Sequence, residues 1–173
     1  MWDPFIRLFH WSLVLVFLIS QVTAERFNQI HEYAGYVIFG LISLRVVWGL
    51  IGPENARFRS FWPSPRAVRA HLGEVIRGKH TPTVGHNPAG GAMILALLAT
   101  LLLAGLTGYT GQTDQFWGIE WIEETHEFFG NLSLILVGVH VTAVVLMSLI
   151  EKRNLIRAMV TGRYTAQSAA SQD

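Results

Sequence analysis

The sequence predicts an all-α protein: an integral membrane four-helix bundle with both termini cytoplasmic. Three observations carry this expectation. The 173 residues are 51% hydrophobic and only 14% charged, and the apolar ones gather into four runs of 19 to 23 residues. Basic residues fall almost wholly on one side of those runs. A short motif, His-Glu-x-x-Gly, occurs twice, as HEYAG from position 31 and HEFFG from position 126, each at the mouth of an apolar run.

The four runs cover residues 5–23, 33–51, 89–110 and 128–150. Each is long enough to cross about 30 Å of hydrocarbon at about 1.5 Å per helical residue. A soluble helical bundle is disfavoured because none of the runs shows a polar face. Together they form one domain, residues 1–163, followed by a small, polar, flexible tail over 164–173. For the first run the rival is a secretory signal peptide, since VTAE at 22–25 resembles a cleavage site. The short leading region carries Asp3 beside Arg7, and His10 and Trp11 make a poor start to a signal core. The run is therefore read as a span.

Charge sets the orientation. Twelve of the thirteen Lys and Arg lie at the amino end, between Arg45 and Lys79, or from Lys152 onward; Arg26 is the exception. Glu25, Glu32, Asp114, Glu120, Glu123, Glu124 and Glu127 occupy the two other connections. Because basic loops stay in the cytoplasm, loops 24–32 and 111–126 face outward and loop 52–88 faces inward. Within the inner loop, SPRAVRAHLGEVIRG reads as a Ser-capped, Pro-started amphipathic helix. Its basic residues fit an anionic inner leaflet, although a solvated connector would carry the same charge.

The chain has no cysteine, which excludes disulfides, thiolate metal sites and the covalent haem attachment of c-type cytochromes. It has seven histidines. His71 and His80 lie in the inner loop and read as surface residues. The others lie in or beside the spans, where an ionisable group is costly and needs a reason. Fourteen residues separate His126 from His140, almost four turns, so both rings project from one helix face about 21 Å apart. His31 opens the second run at the same outer level as His126. The first run points the other way, which brings His10 to the level of His140. The depths therefore pair His31 with His126 and His10 with His140.

Zinc generally takes four ligands, and each level offers two. Haem brings four nitrogens of its own and needs only two axial ligands, and a bundle interior is a usual place for it. Gly35 and Gly130 each stand one turn beyond a motif histidine, where bare backbone would let a porphyrin lie flat; Ser133 extends that small strip. Such glycines also serve close helix packing. Glu32 and Glu127 complement their helix dipoles.

Arg45 stands fourteen positions after His31, at the level of the inner histidines. It either pairs with a propionate of the inner haem and raises its potential or snorkels to the inner surface. Arg7 and Trp11 flank His10 and are candidates for similar contacts, Trp11 also as an interfacial aromatic. His86, in GHNPAGG before the third span, could replace His10 as a ligand, line a quinone pocket or cap the span.

WDPFIRLFHW, ARFRSFWPSPRAV, GHNPAGGAM and the HEFFG…GVH spacing together resemble the prokaryotic cytochrome b561 family, which includes the cytochrome b subunit of nickel–iron hydrogenases; the resemblance covers residues 2 to 163. It implies a multi-pass protein of the bacterial inner membrane, carrying two haem b groups. Electrons would pass between membrane quinone and a periplasmic partner such as cytochrome c or a hydrogenase-type subunit. The ligands it implies, His10, His31, His126 and His140, coincide with those from the depth argument. One branch of the family oxidises superoxide to reduce quinone, but the acidic outer loop here favours a basic partner over an anion. With both axial sites filled, the irons are suited to electron transfer rather than oxygen activation. Quinone oxidoreductase activity is compatible with that role.

The partners expected are membrane lipid, quinone and a periplasmic redox protein, with no nucleic acid; the oligomeric state stays open. An intramembrane metal or proton transporter would also use buried histidines, but no Asp or Glu lies inside any span. A purely structural anchor would not need histidines matched in depth.

Overall fold

A computed structural model describes residues 3–25, 28–60, 62–78 and 87–162. Within them the chain is helical: α1 (Pro4–Thr23), α2 (Asn28–Ile51), α3 (Pro65–Ile76), α4 (Pro88–Gly111), α5 (Glu120–Ile150) and α6 (Leu155–Thr161), with two single 3₁₀ turns after α2. Four helices, α1, α2, α4 and α5, are long and apolar enough to cross a membrane. Beyond the four, the described residues hold two shorter helices: α3 lies where the Ser-capped amphipathic helix was expected, and α6 was not anticipated, because hydropathy is silent about so short a segment outside the apolar runs.

Three helices begin with the same chemical device. Asp3, Ser64 and Asn87 cap α1, α3 and α4 by accepting backbone N–H bonds, and each is followed by proline at the first helical position. The Asp3 carboxylate takes Phe5 N at 2.7 Å, and Asn87 Oδ1 takes Gly90 N at 2.7 Å. Proline lacks the N–H that the first turn would leave unpaired, and its fixed φ is already helical. Gly162, in the left-handed region at φ 75°, ends α6.

Two outer boundaries differ from the hydropathy reading. α2 starts at Asn28 rather than 33, and α5 at Glu120 rather than 128. At 31 residues, α5 is about 46 Å long against a slab of about 30 Å, so several polar turns stand beyond the hydrocarbon. Backbone hydrogen bonding continues where the apolar run stops. His31 and His126 therefore sit inside helices, not in loops.

The core is built by α1, α2 and α4, through Phe9, Phe17, Ile38, Ile42, Leu98 and Leu101. On α2 the inward stripe runs Ala34, Ile38, Ile42, Arg45, Gly49 at spacings of three and four. α5 packs along α4, but among the described residues it makes few close backbone approaches to α1 or α2. Only Ile122 and Ser133 of α5 are buried. A slot therefore runs between α5 and the α1–α2 pair.

Candidate functional site

The two histidine pairs face each other across that slot. The rings of His31 on α2 and His126 on α5 have centroids 6.1 Å apart, at 81° to one another. Those of His10 on α1 and His140 on α5 are 6.5 Å apart, at 59°. Neither pair is stacked. Two metal–nitrogen bonds of about 2 Å, plus about 1.1 Å from each nitrogen to its ring centre, give a centroid separation of about 6.2 Å. Both spacings match one metal held from opposite sides.

Hydrogen bonds orient the outer rings. His31 Nδ1 lies 2.9 Å from the Ser20 carbonyl and 3.2 Å from the Ser20 hydroxyl. His126 Nδ1 lies 2.9 Å from the Ala104 carbonyl. A carbonyl only accepts, so both Nδ1 atoms carry the proton, and Nε2 keeps its lone pair for a metal. The Ser20 carbonyl is available because it lies in the last turn of α1, where acceptors lack helical partners. Ala104 lies inside α4, and access there depends on Gly108. A Cβ at Gly108 would stand 2.9 Å from His126 Cε1 and 3.0 Å from Nδ1. Sequence reasoning missed Ser20, Ala104 and Gly108; a glycine one turn after Ala104 was the only signal available.

At the inner level, His10 Nδ1 is buried without a hydrogen-bond partner, and the Trp11 ring meets the His10 ring edge-on at 5.2 Å. Arg45 is 4% exposed, has its guanidinium carbon 4.9 Å from the Phe58 ring centre, and leaves one terminal nitrogen unpaired. Arg7 donates to the Val160 carbonyl at 2.8 Å and so ties α1 to the end of α6, while its Nε stays buried and unpaired.

Ser133 lies midway between His126 and His140, fully buried with its hydroxyl unpaired. A Cβ at Gly35 or Gly130 would meet nothing within 4 Å, so both glycines border open space beside their histidines. His71, expected at the surface, is buried at 8% exposure, in a helix that packs along α4. His86 and His80 lie outside the described residues. Among the described residues, no three His, Asp or Glu side chains gather as metal ligands.

Membrane-length helices with pairs of imidazoles opposed across an interhelical slot are the arrangement a transmembrane b-type cytochrome requires. A family model described as prokaryotic cytochrome b561 matches residues 1–162. The chain belongs to that family, whose members are b-type cytochromes acting in electron transfer. No curated protein and no solved structure matches. The family implies haem b, and the residues fit it: paired imidazoles at metal-spanning distance, Nε2 lone pairs freed by Nδ1 bonds in the His31–His126 pair, and open space beside Gly35 and Gly130.

Proposed function

We propose that the chain is a two-haem electron relay between a basic periplasmic redox protein and membrane quinone, with both termini cytoplasmic. The opposed histidine pairs carry this reading. His31 and His126 hold the outer haem, and His10 and His140 the inner one. Each bound haem supplies a one-electron iron couple. Ser20 and Ala104 fix the tautomer and direction of the outer ligands. Ser133 and the two glycines keep the slot free of side chains between the levels. Trp11 packs against His10 and limits the tilt of its ring.

Arg45, the Nε of Arg7 and His86 are assigned to the inner end, where quinone exchanges electrons. The unpaired donors of Arg45 and Arg7 suit an acceptor such as a propionate or a quinone carbonyl. The direct test is a haem count on purified protein: two b-type haems per chain are expected, and one or none overturns the relay.

Arg45→Leu removes a buried positive charge beside the inner site. A charge about 10 Å away at an effective dielectric near 20 shifts a one-electron couple by on the order of 50–100 mV. The inner potential falls, because the oxidised, more positive state is no longer disfavoured, while the outer potential barely changes. Redox titration followed by absorbance checks this.

The outer partner follows from charge. Glu120, Glu123, Glu124 and Glu127 are all exposed at spacings of three and four, forming one acidic face on the projecting turns of α5. This face attracts a cationic protein and repels superoxide, which favours the relay over superoxide oxidation. Replacing all four by Gln should slow reduction by a basic cytochrome c roughly tenfold at low salt, with little difference at high salt. Stopped-flow rates against ionic strength measure it.

A further inference from the structure

We propose that the groove between α3 and the start of α4 binds one anionic phospholipid, its acyl chain in the groove and its phosphate against Arg69, with Arg66 and Arg77 adding positive charge nearby. Val68, Leu72 and Ile76 follow one another at four-residue spacing, and together with Pro63, Arg69 and Ala92 they line a cavity of about 630 Å³. That volume lies within the range of sites that take a single small molecule. Leu72 is 48% exposed and Ile76 85%, so the strip is not covered by protein. Ala92 lies in the second turn of the span α4, which sets the groove at the edge of the hydrocarbon, where an exposed apolar strip is covered by lipid.

Charge selects which lipid. On a helix with 100° per residue, Arg66 and Arg69 fall about 60° apart beside the strip, and Arg69 itself lines the groove; Arg77 follows just past the end of α3, with Glu74 about 60° further round. All three arginines are exposed. Guanidinium groups form forked hydrogen bonds to phosphate oxygens, and a zwitterionic headgroup would add a cation beside them. The site is separate from the histidine pairs and stands whether or not they hold haem.

Native mass spectrometry of the haem-loaded protein released from nanodiscs of mixed phosphatidylglycerol and phosphatidylcholine tests the proposal. One retained phosphatidylglycerol per chain is expected, at least tenfold over phosphatidylcholine. The preference should disappear in an Arg66→Gln/Arg69→Gln/Arg77→Gln variant, and Ala92→Trp should abolish retention by filling the groove. Arg69→Gln alone, a milder change, should reduce retention severalfold with the haem spectrum unaltered. Equal retention of the two lipids, or a preference surviving the triple substitution, overturns the proposal. So does disulfide cross-linking of two chains through Ile76→Cys in the membrane, which would make the groove a contact between copies.

Discussion

His10→Ala loses the inner haem and keeps the outer one, and His31→Ala does the reverse. Each variant retains about half of the haem absorbance, and the two surviving spectra differ in potential and band position. The expectation rests on the ring separations of 6.5 and 6.1 Å. α5 supplies one imidazole to each pair, so on the proposed assignment removing His10 or His31 would leave the opposite histidine alone to hold that haem. The losses are independent because the two levels lie about 21 Å apart along α5. Spectra of the two variants in dithionite provide the check. If both lost the same haem, or if neither lost any, the pairing would be wrong.

Gly108→Val, remote from any ligand position in sequence, should remove the outer haem almost as completely as His31→Ala. Even a bare Cβ would come within 2.9 Å of the His126 ring, and valine adds two methyl groups in the same direction. The ring must swing away from Ala104, breaking its Nδ1 bond and turning Nε2 off the axis shared with His31. Loss of such an orienting bond typically weakens metal-site affinity by about 10- to 100-fold. The steric displacement adds to this. The inner haem is unaffected, and that internal control separates the effect from general misfolding. Haem titration of the apoprotein with both sites monitored measures the difference. Gly108→Ala should give an intermediate loss, because one methyl can be met by a small rotation of the ring.

Much of this molecule is legible from residue order. Apolar runs too long for a soluble helix announce the spans, and the fourteen-residue interval between His126 and His140 puts both on one face by helical geometry alone. Ser64 followed by Pro65 marks the start of α3 as it stands in the structure. The outer helix ends were not legible, because hydropathy reports where hydrocarbon begins while the backbone of α2 and α5 keeps its hydrogen bonds in polar surroundings. The burial of His71 was hidden for a related reason. An amphipathic pattern shows that α3 has two faces but not which polar residue will be covered.

What the order of residues determined by itself is the number of spans, the family and the matched depths of four histidines, all consequences of one-dimensional periodicity. What only the folded bundle decided is the approach of His31 to Ser20, of His126 to Ala104 past Gly108, and of Arg45 to Phe58. Each of these joins residues distant in sequence or on different helices. Their contact depends on how closely two helix surfaces come together, and that distance is set by side chains from both partners at once.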